Sequence, residues 1–282
     1  MSSSPLIRKI VFPAAGLGTR VLPATAVLPK ELLPIVDKPI IQYGMEEAVI
    51  SGLTKIILVH SAGNTMIKDH FSRHSKLEEQ LEQRGKSALL DDLRDVVARI
   101  ELSLVPQAKP LGLGHAVMVS RKLVDNEPFA VLLSDDVIDA DPPALKQMLA
   151  IFAEVNGPVL LVERVSHDVV DRYGIIDGEL VGPGLYRVTD LVEKPTPDDS
   201  PSNLAIIGRY LLTPDVYPAL LEARQGSGGE IQLTDALAAM LDKIPLHGLR
   251  IDGRRFDCGT KSGFIEANAA FAAERADLGG AG

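Results

Sequence analysis

The chain has 282 residues, enough for one large core without covalent staples, and its 29 Lys and Arg against 38 Asp and Glu leave a formal charge of −9. That acidic balance argues against a nucleic-acid or anionic-membrane partner, since either demands a basic face. One cysteine, no long apolar run and a start (MSSSPLIRKI) without the apolar core of a signal peptide point to a cytoplasmic enzyme or binding protein.

Residues 9–13 (KIVFP) form a short apolar run that stops at a glycine-rich turn, the pattern of a buried parallel strand. Similar runs at Lys55–His60, Phe129–Leu133 and Pro158–Arg164 predict three more. Helical spacing lies between them; over 39–51, Ile41, Met45, Ala48 and Val49 share one face. Strands that alternate with helices need crossover connections. The expected class is therefore α/β, with a Rossmann-like mixed, mostly parallel central sheet flanked by helices. Ligands of such sheets sit at the carboxyl ends of the strands, so the loops there are where chemistry is sought. Residues 75–99 are charge-rich and predict one or two exposed helices in a peripheral insertion. Past Asp168, short β-like pieces follow at Tyr173–Asp177, Leu185–Glu193 and Leu204–Leu212, and helix returns over 261–275.

The first chemical constellation is Ala14-Ala15-Gly16-Leu17-Gly18-Thr19-Arg20, with Lys30 ten residues further on. Glycines directly after a strand let backbone N–H groups approach anionic oxygens, and Thr19 adds a hydroxyl donor. Residues 1–40 are net +3 in a chain of −9, the local reversal a polyphosphate site needs. A dinucleotide fingerprint would need a third glycine where Val21 stands, and a Walker A loop would need Gly-Lys-Ser/Thr. Alone, the turn also fits a strand-to-helix connection with surface cations. Arg20, Lys30 and the frame of Pro23, Pro29 and Pro34 favour the anion site.

Leu132-Leu133-Ser134-Asp135-Asp136 ends an apolar run in two carboxylates, whose repulsion and desolvation Mg²⁺ would relieve. The alternative is that Asp135 or Asp136, with Asp139 and Asp141, caps the next helix. Val192-Glu193-Lys194-Pro195 sets an acid and a cation at a strand end, with the proline expected to hold Lys194 extended. The pair suits a sugar hydroxyl and a phosphate; otherwise it is an exposed ion pair of little weight. Residues 229–235 read as a helix start capped by Thr234 or Asp235, and Asp235 equally as a second metal ligand. Residues 257–261 read as a strand-to-helix turn with Cys258 as a buried small thiol. His70 and His74 lie four apart, but Arg73 and Lys76 beside them disfavour zinc.

Taken together, Gly16–Arg20, Leu22-Pro23, Thr25 and Pro29–Pro34 resemble the activation motif of the sugar-phosphate nucleotidyltransferases. With Val36–Pro39, Gly112–His115, Ser202–Ala205, Glu230–Asp235 and Asp257–Gly259, the chain resembles the bacterial UTP–glucose-1-phosphate uridylyltransferases from about residue 8 to residue 270. The resemblance implies the nucleotidyltransferase fold and UTP plus glucose 1-phosphate giving UDP-glucose and pyrophosphate, with Mg²⁺. It implies catalytic roles for Arg20, Lys30 and Lys194, and nucleotide contacts from Ala15, Gly16, Gly18, Thr19, Gln107 and Gly112. It further implies sugar-phosphate contacts from Gly174, Glu193 and Lys194, metal-binding acids at Asp135 and Asp235, and a homodimer or homotetramer. Two departures stand out: Ala26 occupies a usual lysine position, and Ser134 precedes the acids where glycine or proline is commoner.

The expected organisation is a single domain over 1–282, with a nucleotide-binding half at 1–165. A small, β-rich sugar-phosphate-binding half and the C-terminal helix occupy 166–282. Two anionic reactants need no generated nucleophile, so cations on both sides of a direct in-line displacement suffice. Thymidylyl or cytidylyl transfer to a related sugar phosphate is the nearest alternative. A silent sugar-nucleotide sensor is disfavoured by intact Arg20, Lys30, Asp135 and Lys194, and a nicotinamide oxidoreductase by the missing third glycine.

Overall fold

The four apolar runs become strands β1 (Lys9–Ala14), β4 (Lys55–Ser61), β6 (Phe129–Leu132) and β8 (Val159–Arg164) in the computed structural model, which describes residues 7–155, 157–223 and 229–279. Between β1 and β4 lie the short strands β2 (Pro34–Ile35) and β3 (Lys38–Pro39), paired with each other, and helix α1 (Ile40–Ile50). Helices α2 (Met66–His70), α3 (Ser75–Gln83) and α4 (Asp91–Arg99) follow β4. As the charge-rich sequence predicts, α3 buries no residue and α4 only Val96. Next come β5 (Glu101–Gln107), α5 (Leu113–Val124), β7 (Asp136–Asp139) after β6, and α6 (Ala144–Val155). The later part contains β9 (Gly174–Gly182), β10 (Leu185–Glu193), β11 (Leu204–Leu212), α7 (Val216–Glu222) and α8 (Leu233–Ala238). It ends with β12 (His247–Leu249), β13 (Arg254–Asp257) and α9 (Lys261–Ala273).

Nine strands form one mixed sheet in the order β5-β4-β1-β6-β11-β8-β12-β10-β9, with β9 also pairing with β11. Strands β5, β4, β1 and β6 are mutually parallel, and β11 runs antiparallel beside β6. Because successive side chains point to opposite faces, each strand feeds two cores. Val11, Ile57 and Val131 pack towards α5, α7 and α8, whereas Ile10, Phe12, Ile56 and Leu132 pack towards α1 and α6. A third cluster (Val21, Leu33, Ile35, Val137, Phe256, Cys258 and Ala267 among them) anchors the loop after β1 to β7, β13 and α9.

Two local expectations give way. Asp136 opens β7 instead of a helix, because residues 136–139 pair with β13, and α6 begins only at Ala144. Helix α8 starts after Gln232 with no side-chain cap, so neither Thr234 nor Asp235 caps it. The turn at 257–261 forms as expected: Cys258 is buried and the Thr260 hydroxyl accepts from the Gly263 amide at 3.1 Å.

At the middle of the sheet β11 carries a buried cation. Arg209, 1% exposed, donates to Glu47 Oε2 from Nη2 at 2.7 Å and to the carbonyls of Leu133, Gly208 and Asp136. Glu47 in turn accepts from the Leu145 amide at 2.9 Å. The neighbouring Gly208 has φ 40°, and a Cβ there would stand 2.6 Å from Asp136 Oδ2, so glycine alone lets β11 bulge beneath the acid turn. Arg209→Met leaves Glu47 buried without its cation and is expected to cost about 3–5 kcal/mol in denaturant unfolding. Combined with Glu47→Leu it should cost clearly less than the sum of the two single changes. A single-variant loss below about 1 kcal/mol would contradict this role.

Candidate active site

All four mutually parallel strands end at one edge of the sheet, and the chain leaving three of them builds one cavity of about 500 Å³. From β1 come Ala15, Gly16, Thr19, Arg20 and Lys30; from β5, Gln107 and Gly112; from the end of β6, Asp135 and Asp136. Strands β9 and β10 close the opposite wall with Tyr173, Gly174, Glu193 and Lys194. Eleven of the thirteen site residues expected from sequence line this cavity. The two outside it are Gly18 and Asp235.

Gly18 adopts φ 62°, and its carbonyl accepts from the Thr25 hydroxyl at 2.8 Å. It shapes the loop without lining the cavity. Asp235 lies exposed in the first turn of α8, where partial burial and then the Glu193 carboxylate raise its pKa. It is not brought to the cavity wall beside Asp135. Ala26 is exposed and likewise outside the cavity, and Ser134 is buried.

The Lys30 ammonium meets Asp135 Oδ2 at 2.5 Å, with each side chain about one fifth exposed (22% and 23%). Burial pulls the Lys30 pKa down, but Asp135 and then Glu31 more than offset it, so the ammonium is held charged. Burial pushes Asp135 up and Lys30 outweighs it, leaving this carboxyl below its usual range. Its neighbour behaves oppositely: burial takes Asp136 to about 6 in spite of Arg255, whose Nε donates to Asp136 Oδ1 at 2.5 Å. Glu31, also at the cavity wall, is raised to about 7 by burial against the pull of Lys30, and its Oε1 has no hydrogen-bond partner.

On the β5 side, Gln107 Nε2 donates to the Gly112 carbonyl at 3.2 Å and lies 2.8 Å from His115 Nδ1, which orients the carboxamide at the cavity wall. On the opposite wall, Lys194 is not extended as the following proline suggests but has φ 48°. Its amide continues the β9–β10 ladder by donating to the Tyr173 carbonyl at 2.9 Å, and the chain turns away at that point. Lys194 Nζ rests 3.1 Å from Glu193 Oε1.

The lining carries five cations (Arg20, Lys30, Arg172, Lys194, Arg255) against six acids (Glu31, Asp135, Asp136, Glu193, Glu230, Asp257). The positive segment legible in residues 1–40 is therefore neutralised by distant acids. Arg172 and Arg255 escape sequence reasoning, because neither sits in a motif. The only signal for Arg255 is its place two residues before Asp257-Cys258-Gly259. No cysteine, serine or histidine lines the cavity among the described residues.

A family model described as nucleotidyl transferase matches residues 9–274. A UTP–glucose-1-phosphate uridylyltransferase of Pseudomonas aeruginosa is 44% identical over 265 residues, covering 93% of this chain and 95% of that protein. One from Bacillus subtilis strain 168 is 43% identical over 272 residues, covering 96% and 93%. Among solved structures, a UDP-glucose pyrophosphorylase complexed with UDP-glucose superposes with a TM-score of 0.88 at 40% identity, over 95% of this chain and 100% of that one. The UTP-bound enzyme of Acinetobacter baumannii gives 0.87 at 37% identity, over 97% and 96%. A cavity built from the motif residues and a likeness that spans nearly the whole chain agree: the protein belongs to the nucleotidyl transferase family, on its UTP–glucose-1-phosphate uridylyltransferase branch.

Proposed function

We propose that this chain transfers the uridylyl group of UTP to glucose 1-phosphate, giving UDP-glucose and pyrophosphate by direct in-line displacement. The observation that carries the reading is one cavity with Arg20 and Lys30 on one wall and Lys194 on the other. Two phosphates repel each other, and cations on both flanks offset that repulsion while holding the attacking oxygen opposite the leaving group. The acceptor oxygen is already an anion, so no base is required to generate it. Gln107 and the backbone at Gly112 would read the uracil edge, with Ala15, Gly16 and Thr19 along the nucleotide. Gly174 and Glu193 would meet the sugar hydroxyls.

The donor set fits Mg²⁺. Acids outnumber cations in the lining, and Asp135 offers a hard carboxylate of depressed pKa beside the triphosphate lysine. Mg²⁺ is commonly held by one or two carboxylates together with substrate phosphates. Asp135 would hold the ion here, and Mg²⁺, when bound, supplies extra positive charge to the phosphate oxygens. Lys30 would then pass from Asp135 to phosphate oxygens, keeping its charge throughout.

Lys30→Ala should lower kcat by roughly 10²–10³-fold with the fold retained, and near-normal turnover would remove Lys30 from the site. Glu193→Ala should raise KM for glucose 1-phosphate while leaving KM for UTP nearly unchanged; an equal rise in both contradicts the assignment. Glu31, neutral below about 7, presents no charge to the triphosphate until pH rises through that value. KM for UTP should therefore climb more steeply between pH 6 and 8 in the wild type than in Glu31→Gln, and parallel profiles would refute it.

A further inference from the structure

Arg255 stands on β13 with its side chain 9% exposed, deep enough that an unpaired guanidinium would be costly. Each edge of its fork has a partner. Nε donates to Asp136 Oδ1, Nη1 reaches the Tyr173 hydroxyl at 3.4 Å, and the guanidinium carbon lies over the Tyr173 ring, 5.1 Å from its centroid. The same Nη1 lies 3.5 Å from Glu163 Oε2, and Nη2 lies 4.0 Å from Asp257 Oδ2. Asp136 and Tyr173 belong to opposite walls of the cavity. Asp136 follows the acid turn after β6, pressed against Gly208 so that its carboxylate has no room on that side. Tyr173 begins the acceptor wall, and its carbonyl holds the Lys194 amide.

We propose that Arg255 is a positioning residue that ties the acid turn to the Tyr173–Lys194 wall and so sets the fit for the sugar phosphate, with little effect on the nucleotide. A planar fork that stacks on one partner while donating to another is a task lysine cannot perform. Without the guanidinium, the buried Asp136 carboxylate loses its partner and is free to turn, and Tyr173 loses the contact that sets its tilt. Any shift of Tyr173 is passed to Lys194 through their backbone hydrogen bond. Arg255 makes no described hydrogen bond or ion pair to Arg20, Lys30 or Gln107, and the Leu133 and Asp136 carbonyls on either side of Asp135 remain held by Arg209. The nucleotide wall should therefore keep its shape.

The proposal rests on the uridylyl-transfer reading, and its test has two readouts, taken on Arg255→Lys and Arg255→Gln. KM for glucose 1-phosphate should rise about tenfold or more while KM for UTP stays within about twofold. Crystal structures of the variants should show the Tyr173–Lys194 segment displaced. A lowered melting temperature with both KM values unchanged, or changed together, overturns the proposal. So does a variant structure in which Asp136, Tyr173 and Lys194 keep their places. If the wild type uses no glucose 1-phosphate, it is the uridylyl reading that fails, and the position of the wall in the variants still decides the role of Arg255.

Discussion

Arg209 reaches from β11 beneath the turn between β6 and β7 and satisfies three backbone carbonyls and one carboxylate without meeting solvent. Two of those carbonyls, of Leu133 and Asp136, flank Ser134 and Asp135, so a buried cation fixes the backbone on either side of the acid at the floor of the cavity. Glu47 extends the same network into α1 and, through the Leu145 amide, to the start of α6. Buried ion pairs gain little net stability over apolar packing, but breaking one is expensive. The arrangement therefore constrains geometry more than it adds stability.

On that floor the electrostatics are balanced, with acids slightly in excess. Burial alone would neutralise both neighbouring carboxyls, yet Lys30 keeps Asp135 ionised while Asp136 rises to about 6. Two adjacent aspartates thus differ because Lys30 outweighs the effect of burial at Asp135, whereas Arg255 does not outweigh it at Asp136. In the proposed reaction a triphosphate entering such a site would need added positive charge, which a divalent ion would supply.

Much of this was legible in the residues. The apolar runs of β1, β4, β6 and β8 announce themselves, and β10 and β11 begin and end with the β-like pieces read at 185–193 and 204–212. The thirteen expected site residues lead to the cavity, Gly18 and Asp235 excepted. Strand β5 gives almost no signal, because it is an edge strand with a Pro106 and exposed Glu101 and Leu104. The pairing of β7 with β13 joins segments more than a hundred residues apart, so no local pattern reveals that Arg255 will meet Asp136. For the same reason a positive amino-terminal segment does not make a positive site: its charges are met by acids that only the fold brings near. Lys194 shows the limit of a local rule, since the ladder hydrogen bond to Tyr173 overrides the preference that Pro195 imposes.

In the proposed mechanism both reactants are held together while one phosphorus–oxygen bond forms as the other breaks. The stereochemical course at the α-phosphorus tests it most directly, using UTP made chiral there by a single sulfur and glucose 1-phosphate as acceptor. One displacement predicts inversion of configuration in the sugar nucleotide. Retention would require two successive displacements through an enzyme-bound uridylyl group, and would contradict it.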